Sequence, residues 1–518
     1  LDRIWGNIVN TRMHITGGLG AVHGIEGFGP QYLLPNDDAF NETCAAVGNV
    51  LFNYRMFLLH KDAKYLDVAE VALLNNVLAA VNLEGNRFFY VNPLGADGKY
   101  PFNHGAGGRA PWFGTACCPS NMARLLPQVQ GMTYAHDDKD LYVTFYAESS
   151  TNAKIAGTEV GIQQKTAYPN DGAIEISLAP KKPTDFRLLL RIPTWAGKQF
   201  VPGELYHYLK PVKEPWKLFI NGKPAEAKME RGFAVLERQW KNGDKVKLIL
   251  PMDVKTSRCH ENVEDNRGRL ALTRGPFVLC AEGLDNGGAT QRFFLGDKAD
   301  PSKSKIKRTA IPSGSFMQVS LPAQAITKDG KEESRQLTLT PYYAWNNRGE
   351  TSMTVWFPKD KGLSVFDPHV LPKESIFAEI TASQTSDRDT VSAIGDNKEP
   401  RWSSGKKVPR WTSRPQKGKD QWVEARFHGT RKVRSVGVYW MQDRQDVWFP
   451  KEWSLEVQQG GQWKPFELYV TDRYDTRANQ YNVVHPAAPL SCDAIRIKMT
   501  PKEDGCVGIL EIKVAFEE

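Results

Sequence analysis

Residues 112–146 read WFGTACCPSNMARLLPQVQGMTYAHDDKDLYVTFY, and a change of rhythm inside this stretch divides the chain. From Pro119 the apolar residues Met122, Leu125, Leu126 and Val129 follow helical spacing. Pro suits a first helical position, where the N–H it lacks would have no partner. After about His136 the pattern turns to short alternating runs, of which LYVTFYAES from Leu141 is the first. Such runs, bounded by turn residues, read as strands.

Upstream of the quoted stretch the chain reads as helix. Leu1, Ile4, Trp5, Ile8 and Val9 are already at helical spacing, so the sequence is expected to open inside a helix of something larger. Asp38 to about His60 carries Phe40, Ala45, Val47, Leu51, Tyr54, Met56 and Leu58 at mixed three-and-four spacing, and Ala63 to Leu83 is a second such segment. Gly- and Pro-rich loops, Thr16 to Pro35 and Gly95 to Gly114, lie between. Downstream, AIEISLAP from Ala173, FRLLLRIP from Phe186, FAVLERQW from Phe233, VKLILPM from Val246 and RLALTRGPFVLCAEG from Arg269 predict antiparallel sheets in a sandwich. The Lys- and Ser-rich segment from Ser304 to Ser334 is expected to be loop. A break near Pro358 to Pro372 precedes a last all-β stretch, with VEARFHG, VRSVGVYWM, WSLEVQQ and AIRIKM as strands. The expected division is therefore helical 1–135, β-sandwich 136–358 and a final β-sandwich 373–518, a multidomain α plus β chain.

A length of 518 residues is too great for one ordinary core and agrees with several domains. No apolar run approaches the roughly 20 residues of a membrane span. The net charge of +8 is spread along the chain, with neither a nucleic-acid-binding motif nor a Gly-rich phosphate loop, so no nucleic-acid partner is expected. The densest basic stretch (Lys406, Lys407, Arg410, Arg414, Lys417 and Lys419) reads as a solvated loop. The 14 Trp suit sandwich cores or sugar-stacking surfaces, with core packing the simpler account.

The seven cysteines do not form a disulfide framework. Cys259, Cys280, Cys492 and Cys506 are scattered through strand-like sequence and read as small buried hydrophobes. Cys117 and Cys118 are adjacent. If Pro119 opens the helix, Cys118 sits at its cap and Cys117 just outside, where the helix dipole favours thiolate; two inert buried cysteines are the other reading. Together with Asn41-Glu42-Thr43-Cys44 they offer one oxygen and three sulfurs, a chemically sensible four-coordinate zinc set of Glu42, Cys44, Cys117 and Cys118. Residues i and i+2 face different sides of a regular helix, so Glu42 and Cys44 converge only from a distorted turn or through the long Glu arm. Asn41-Glu42-Thr43 also matches the glycosylation sequon. Glu26, between Gly24 and Gly27 in HGIEGFGPQYLLPND, is placed to approach a substrate and act as general acid, or is simply a solvated loop residue.

The order of ITGGLGA, E-G-F, LPND, NETCAA, RFFYVNPL, WFG-x-ACCP-x-N-x-ARLL and LYVTFY resembles the catalytic core of the β-L-arabinofuranosidases of glycoside hydrolase family 127. The match runs from about Trp5 to Tyr146 and continues weakly through RGPFVLCAEG and PYYAWNNRG to about residue 349. The resemblance implies the C-terminal portion of an (α/α)6 barrel followed by antiparallel β-sandwich domains. It also implies Cys117 as nucleophile, zinc held by Glu42, Cys44, Cys117 and Cys118, and Glu26 as acid/base. Tyr90 would be a sugar contact, an aromatic packed beside its loop being the alternative. Ile25, where Gly is expected, and Thr115, where relatives often carry Cys, depart from the pattern and bear on the pocket. The final domain resembles a discoidin-type sandwich through WVEARF, VGVYWM, PKEWSLEVQ and GILEIKV, with an ancillary role favoured.

The implied function is retaining hydrolysis of a non-reducing-end furanoside in a glycan, with β-L-arabinofuranose leading. Another pectic furanose such as aceric acid is an alternative, and so is a non-catalytic carbohydrate-binding protein with structural zinc. A cysteine peptidase needs a His beside Cys117; His104 is nearest in sequence, and no peptidase-like context surrounds the pair. A glycan-degrading role suggests a periplasmic or secreted protein.

Overall fold

The computed structural model describes residues 1–21, 26–37, 39–210, 212, 216–296, 300–328, 330–366, 375–398, 400, 402–404, 409–443 and 445–517. The chain divides into two compact units, Leu1–Ala325 with Glu332–Ser364, and Ile326–Lys331 with Val365–Glu518. It is an α plus β protein with several sheets and few helices.

In the first unit the helices are α1 (Asp2–Thr11), α2 (Thr43–His60), α3 (Ala63–Val71) and α4 (Cys117–Val129). Helix α2 starts later than its periodicity suggests, and Asp38 lies outside the described residues. Asn41, at φ 43°, and Glu42, extended at φ −65° and ψ 139°, turn the chain before the first helical residue. The segment from Ala63 does not run as α-helix to Leu83. It widens into a π-helical turn over Ala72–Val77, where Asn75 donates to Val71 O and Pro276 O and accepts from Val278 N. Side-chain bonds to a neighbouring strand here compete with the regular helical ladder. Gly17, at φ 76°, fits against this turn: a Cβ at Gly17 would lie 2.4 Å from Ala72 Cα. Helix α4 begins at Cys117 rather than Pro119, so both cysteines belong to its first turn. Pro119 is tolerated as the third residue because the first N–H groups of a helix have no intrahelical partner.

Beyond α4, the strands Lys228–Glu230, Phe233–Trp240, Thr184–Arg191, Asp140–Val143 and Tyr134–His136 form one sheet. A six-stranded sheet covers residues between Ser149 and Ile249. Leu188, Leu190, Leu236 and Trp240 of the first share one apolar cluster with Ile162, Ile176, Leu178 and Leu248 of the second. The pairing is antiparallel except between Asp140–Val143 and Thr184–Arg191, which run parallel. An 11-stranded sheet follows and includes Gly95–Asp97, paired with Ser352–Thr354, so the loop region after Tyr90 is tied to a distant part of the chain. The Lys- and Ser-rich segment is not loop. Lys305–Ile311 and Gly314–Ile326 form a hairpin in this sheet, with Phe316, Val319, Leu321 and Ala323 buried between the exposed polar positions that dominate its composition.

The second unit is an eight-stranded antiparallel assembly with its own apolar cluster, including Trp411, Trp440, Trp453, Val423, Ile495 and Ile497. VEARFHG and VRSVGVYWM are one long strand, Gln421–Trp440, with a register shift between Arg426 and Arg431. The basic stretch is not a plain solvated loop: Lys406 and Lys407 lie outside the described residues, but Arg410 is buried and pairs at 2.9 Å with the enclosed side chain of Asp389. Arg414 pairs with Asp443, and Lys417 with Asp446. Cys280, Cys492 and Cys506 are buried and Cys259 half-buried, all unpaired. Trp195, Trp240, Trp345, Trp356, Trp411 and Trp440 are fully buried, whereas Trp112 and Trp402 stand exposed. No helix among the described residues is long and apolar enough to cross a membrane.

Candidate active site

Two polypeptide segments meet where α2 begins. Asn41 donates to Asn92 O at 2.9 Å, and Asn92 donates back to Asn41 O at 3.0 Å and to Thr43 Oγ1 at 2.9 Å. Thr43 donates from its backbone to Tyr90 O at 3.0 Å and from its hydroxyl to Phe89 O at 2.8 Å. All these groups are buried, so each bond is made in a medium where leaving it unmade costs about 1–3 kcal/mol. The clamp fixes Glu42 beside Tyr90. It also resolves the spacing problem, because Glu42 is the extended N-cap of α2 while Cys44 is in its first turn. Asn41 is wholly buried with its amide nitrogen engaged, which overturns the glycosylation reading of Asn41-Glu42-Thr43 in the folded protein.

Helix α4 brings the vicinal cysteines to the same place. The ligand atoms of Glu42, Cys44, Cys117 and Cys118 all lie within 4.8 Å of one another. Cys44 Sγ is 3.3 Å from Cys118 Sγ, and Cys118 Sγ is 3.9 Å from Cys117 Sγ. Glu42 Oε1 accepts from Cys117 and Cys118, each at 3.8 Å. A tetrahedral ion with metal–sulfur bonds of about 2.3 Å has sulfur–sulfur edges of about 3.8 Å, so the set fits a small four-coordinate cation. The electrostatics agree. Desolvation and then Cys44 push the Glu42 carboxyl up to about 7. The Cys118 thiol is raised by its hydrogen bond to Cys44 and by burial, and burial raises Cys117. Only Cys44 is lowered, to about 6, first through its hydrogen bond with Cys118. Four acids crowded together resist ionising together, and a cation among them reverses that penalty.

Tyr90 lies against Cys117. Its hydroxyl accepts from Cys117 Sγ at 3.2 Å and donates to Glu26 Oε1 at 3.5 Å. Through that one oxygen Cys117 Sγ and Glu26 Oε1 are at most about 7 Å apart, a bound that includes the roughly 5–5.5 Å between the two reacting groups of a retaining glycosidase. The Tyr90 ring is buried against Phe40 (6.0 Å), His104 (4.4 Å) and Phe113 (5.5 Å). The two readings of Tyr90 are therefore compatible, a packed ring with a hydroxyl aimed into the site. His104 is exposed and spends its ring on Tyr90.

Glu26 is exposed at φ 46° on a loop fastened from two sides. Arg12 donates to Gly29 O, Tyr32 N donates to Thr11 O, and the Tyr32 ring stacks on His260 at 4.9 Å. Ile25 lies outside the described residues; Thr115 is exposed. Sequence reasoning missed Asn121, whose Nδ2 donates to Cys44 Sγ at 3.2 Å. Its place four residues after Cys117 and three after Cys118, on one helix face, was a signal available in the sequence. The Asn41–Asn92 clamp had no such signal.

Three family models match the first unit in succession. The β-L-arabinofuranosidase GH127 catalytic domain matches residues 1–131, the GH127 middle domain 140–252 and the glycoside hydrolase family 127 C-terminal domain 254–358. These are domains of a glycoside hydrolase. The chain belongs to glycoside hydrolase family 127. It is 33% identical over 375 residues to the non-reducing end β-L-arabinofuranosidase of Bifidobacterium longum subsp. longum, covering 68% of this chain and 54% of that protein. A GH127 β-arabinofuranosidase structure superposes with a TM-score of 0.65 at 39% identity, over 70% of this chain and 56% of that one. A GH127 β-L-arabinofuranosidase from Geobacillus stearothermophilus T6 gives 0.61 at 32% identity, over 69% and 56%. The chain thus spans little more than half the length of each of these relatives.

Proposed function

We propose that this protein hydrolyses non-reducing-end furanosides with retention of configuration, β-L-arabinofuranosides first among them. The observation that carries the reading is the line from the Cys117 sulfur, inside a Glu-Cys-Cys-Cys cluster, through the Tyr90 hydroxyl to Glu26. Glu42, Cys44, Cys117 and Cys118 would hold zinc, which when bound supplies thiolate at neutral pH by stabilising the deprotonated sulfurs.

In the first step the Cys117 thiolate forms a bond to the anomeric carbon as the glycosidic C–O bond breaks. The Glu26 carboxyl proton passes to the departing oxygen. In the second step the Glu26 carboxylate takes a proton from water, whose oxygen bonds to the anomeric carbon while the C–S electron pair returns to Cys117. Two displacements at one carbon retain configuration. We read α1 to α4 as helices of an (α/α)6 barrel, an expectation that the cluster shared by α2, α3 and α4 supports. The final β unit is assigned an ancillary role, and a periplasmic or secreted location suits action on glycans.

The test is zinc content together with hydrolysis of p-nitrophenyl β-L-arabinofuranoside by the protein, Cys117→Ala and Glu26→Gln. We expect about one zinc per chain in the wild type, and loss of at least about a hundredfold in turnover for each variant. Zinc without turnover of this sugar would redirect the assignment to another pectic furanoside. Unchanged turnover in Cys117→Ala would end the thiolate reading.

A further inference from the structure

Three cysteine sulfurs share one cluster, and nothing in their side chains says which of them attacks. Burial removes Cys118, which is 0% exposed. It does not separate Cys44 from Cys117, since both are half-buried. Hydrogen bonding does. Asn121 Nδ2 donates to Cys44 Sγ at 3.2 Å, and its Oδ1 accepts from the Arg124 guanidinium at 3.5 Å, which agrees with that orientation of the carboxamide. Beside Cys117 stands a hydroxyl that can give its proton to Glu26 instead, so it leaves a lone pair of Cys117 uncommitted.

We infer that Asn121 is a positioning residue that makes Cys44 the spectator thiolate and leaves Cys117 as the attacking one; this rests on the zinc-thiolate reading above. A thiolate is an acceptor only, and an N–H aimed at it draws charge away from the sulfur. That bond lowers the reactivity of Cys44 and holds its χ angles against α4, as outer hydrogen bonds orient ligands around a metal. The same helix therefore supplies the nucleophile and, one turn later, the group that quiets its rival.

The test uses zinc-loaded protein, Asn121→Leu, Asn121→Asp and Asn121→Gln, treated with limiting iodoacetamide and mapped by mass spectrometry. The cobalt(II)-substituted forms are read by their sulfur-to-metal charge-transfer band. Wild type is expected to carry the label on Cys117. In Asn121→Leu and Asn121→Asp the ratio of Cys44 to Cys117 labelling should rise by about tenfold, the size of one charge-assisted hydrogen bond, and the band should move to longer wavelength. Asn121→Gln, which keeps a donor, should move both readouts back toward wild type. An unchanged ratio and band in a folded variant, with wild type still labelled on Cys117, would overturn the role of Asn121 alone. Equal labelling of Cys44 and Cys117 in wild type would overturn both this inference and Cys117 as nucleophile.

Discussion

Tyr90 is the side chain through which Cys117 and Glu26, the proposed reacting groups, meet, and its ring and hydroxyl have separable contacts. The ring is held by Phe40, His104 and Phe113, so Tyr90→Phe keeps the packing and removes only the oxygen between Cys117 and Glu26. Turnover should fall about ten- to hundredfold with the thermal midpoint nearly unchanged, measured on the nitrophenyl glycoside; undiminished turnover would show that the hydroxyl plays no part. At this scale much was legible. Cys117-Cys118 and Glu42-x-Cys44 offered a chemically sensible metal set by residue type, and the family resemblance is what raised it above a chance grouping. Their convergence was not, since it depends on Glu42 leaving the helix by one residue and on Asn92 reaching Asn41 across the fold.

At the scale of elements, α3 is bolted to the sheet by a buried ion cluster. Arg191, 0% exposed, pairs with Asp67 at 2.8 Å and with Glu70, while Tyr168 donates to Glu70 at 2.6 Å and Trp195 at 3.2 Å. Burial pushes the Asp67 carboxyl up, so the cluster is stable only as a complete set. Arg191→Met should leave two acids without their counter-charge and cost about 3–5 kcal/mol, read as a lower denaturant midpoint. No shift in midpoint would mean that α3 is held elsewhere. The periodicity located the helices but not their ends. Helix α2 starts at Thr43 because side-chain bonds turn the preceding residues, and Ala72–Val77 widens because Asn75 serves a strand more than two hundred positions away. The hairpin from Lys305 carries the composition of a loop because its exposed face is basic and polar, which masks the buried alternate residues.

Across the whole molecule the two units have separate apolar cores, one set around Leu188, Trp240 and Ile176, the other around Val423, Trp440 and Ile497. Calorimetry of the zinc-loaded protein should show two transitions, and a chelator should lower the one belonging to the first unit, which alone carries the Glu-Cys-Cys-Cys cluster. A single transition lowered as a block would show that the units unfold together. The sequence by itself determined the change from helix to strand near His136, the residue types of the site and the family likeness, because periodicity, reactive side chains and motif order are local or ordered along the chain. Only the tertiary structure decided that Glu42, Cys44, Cys117 and Cys118 share one small volume, that Tyr90 stands between Cys117 and Glu26, and that Asn121 addresses Cys44. Those contacts join residues up to 77 positions apart, and a hydrogen bond or ligand edge that long in sequence exists only once the intervening chain has packed.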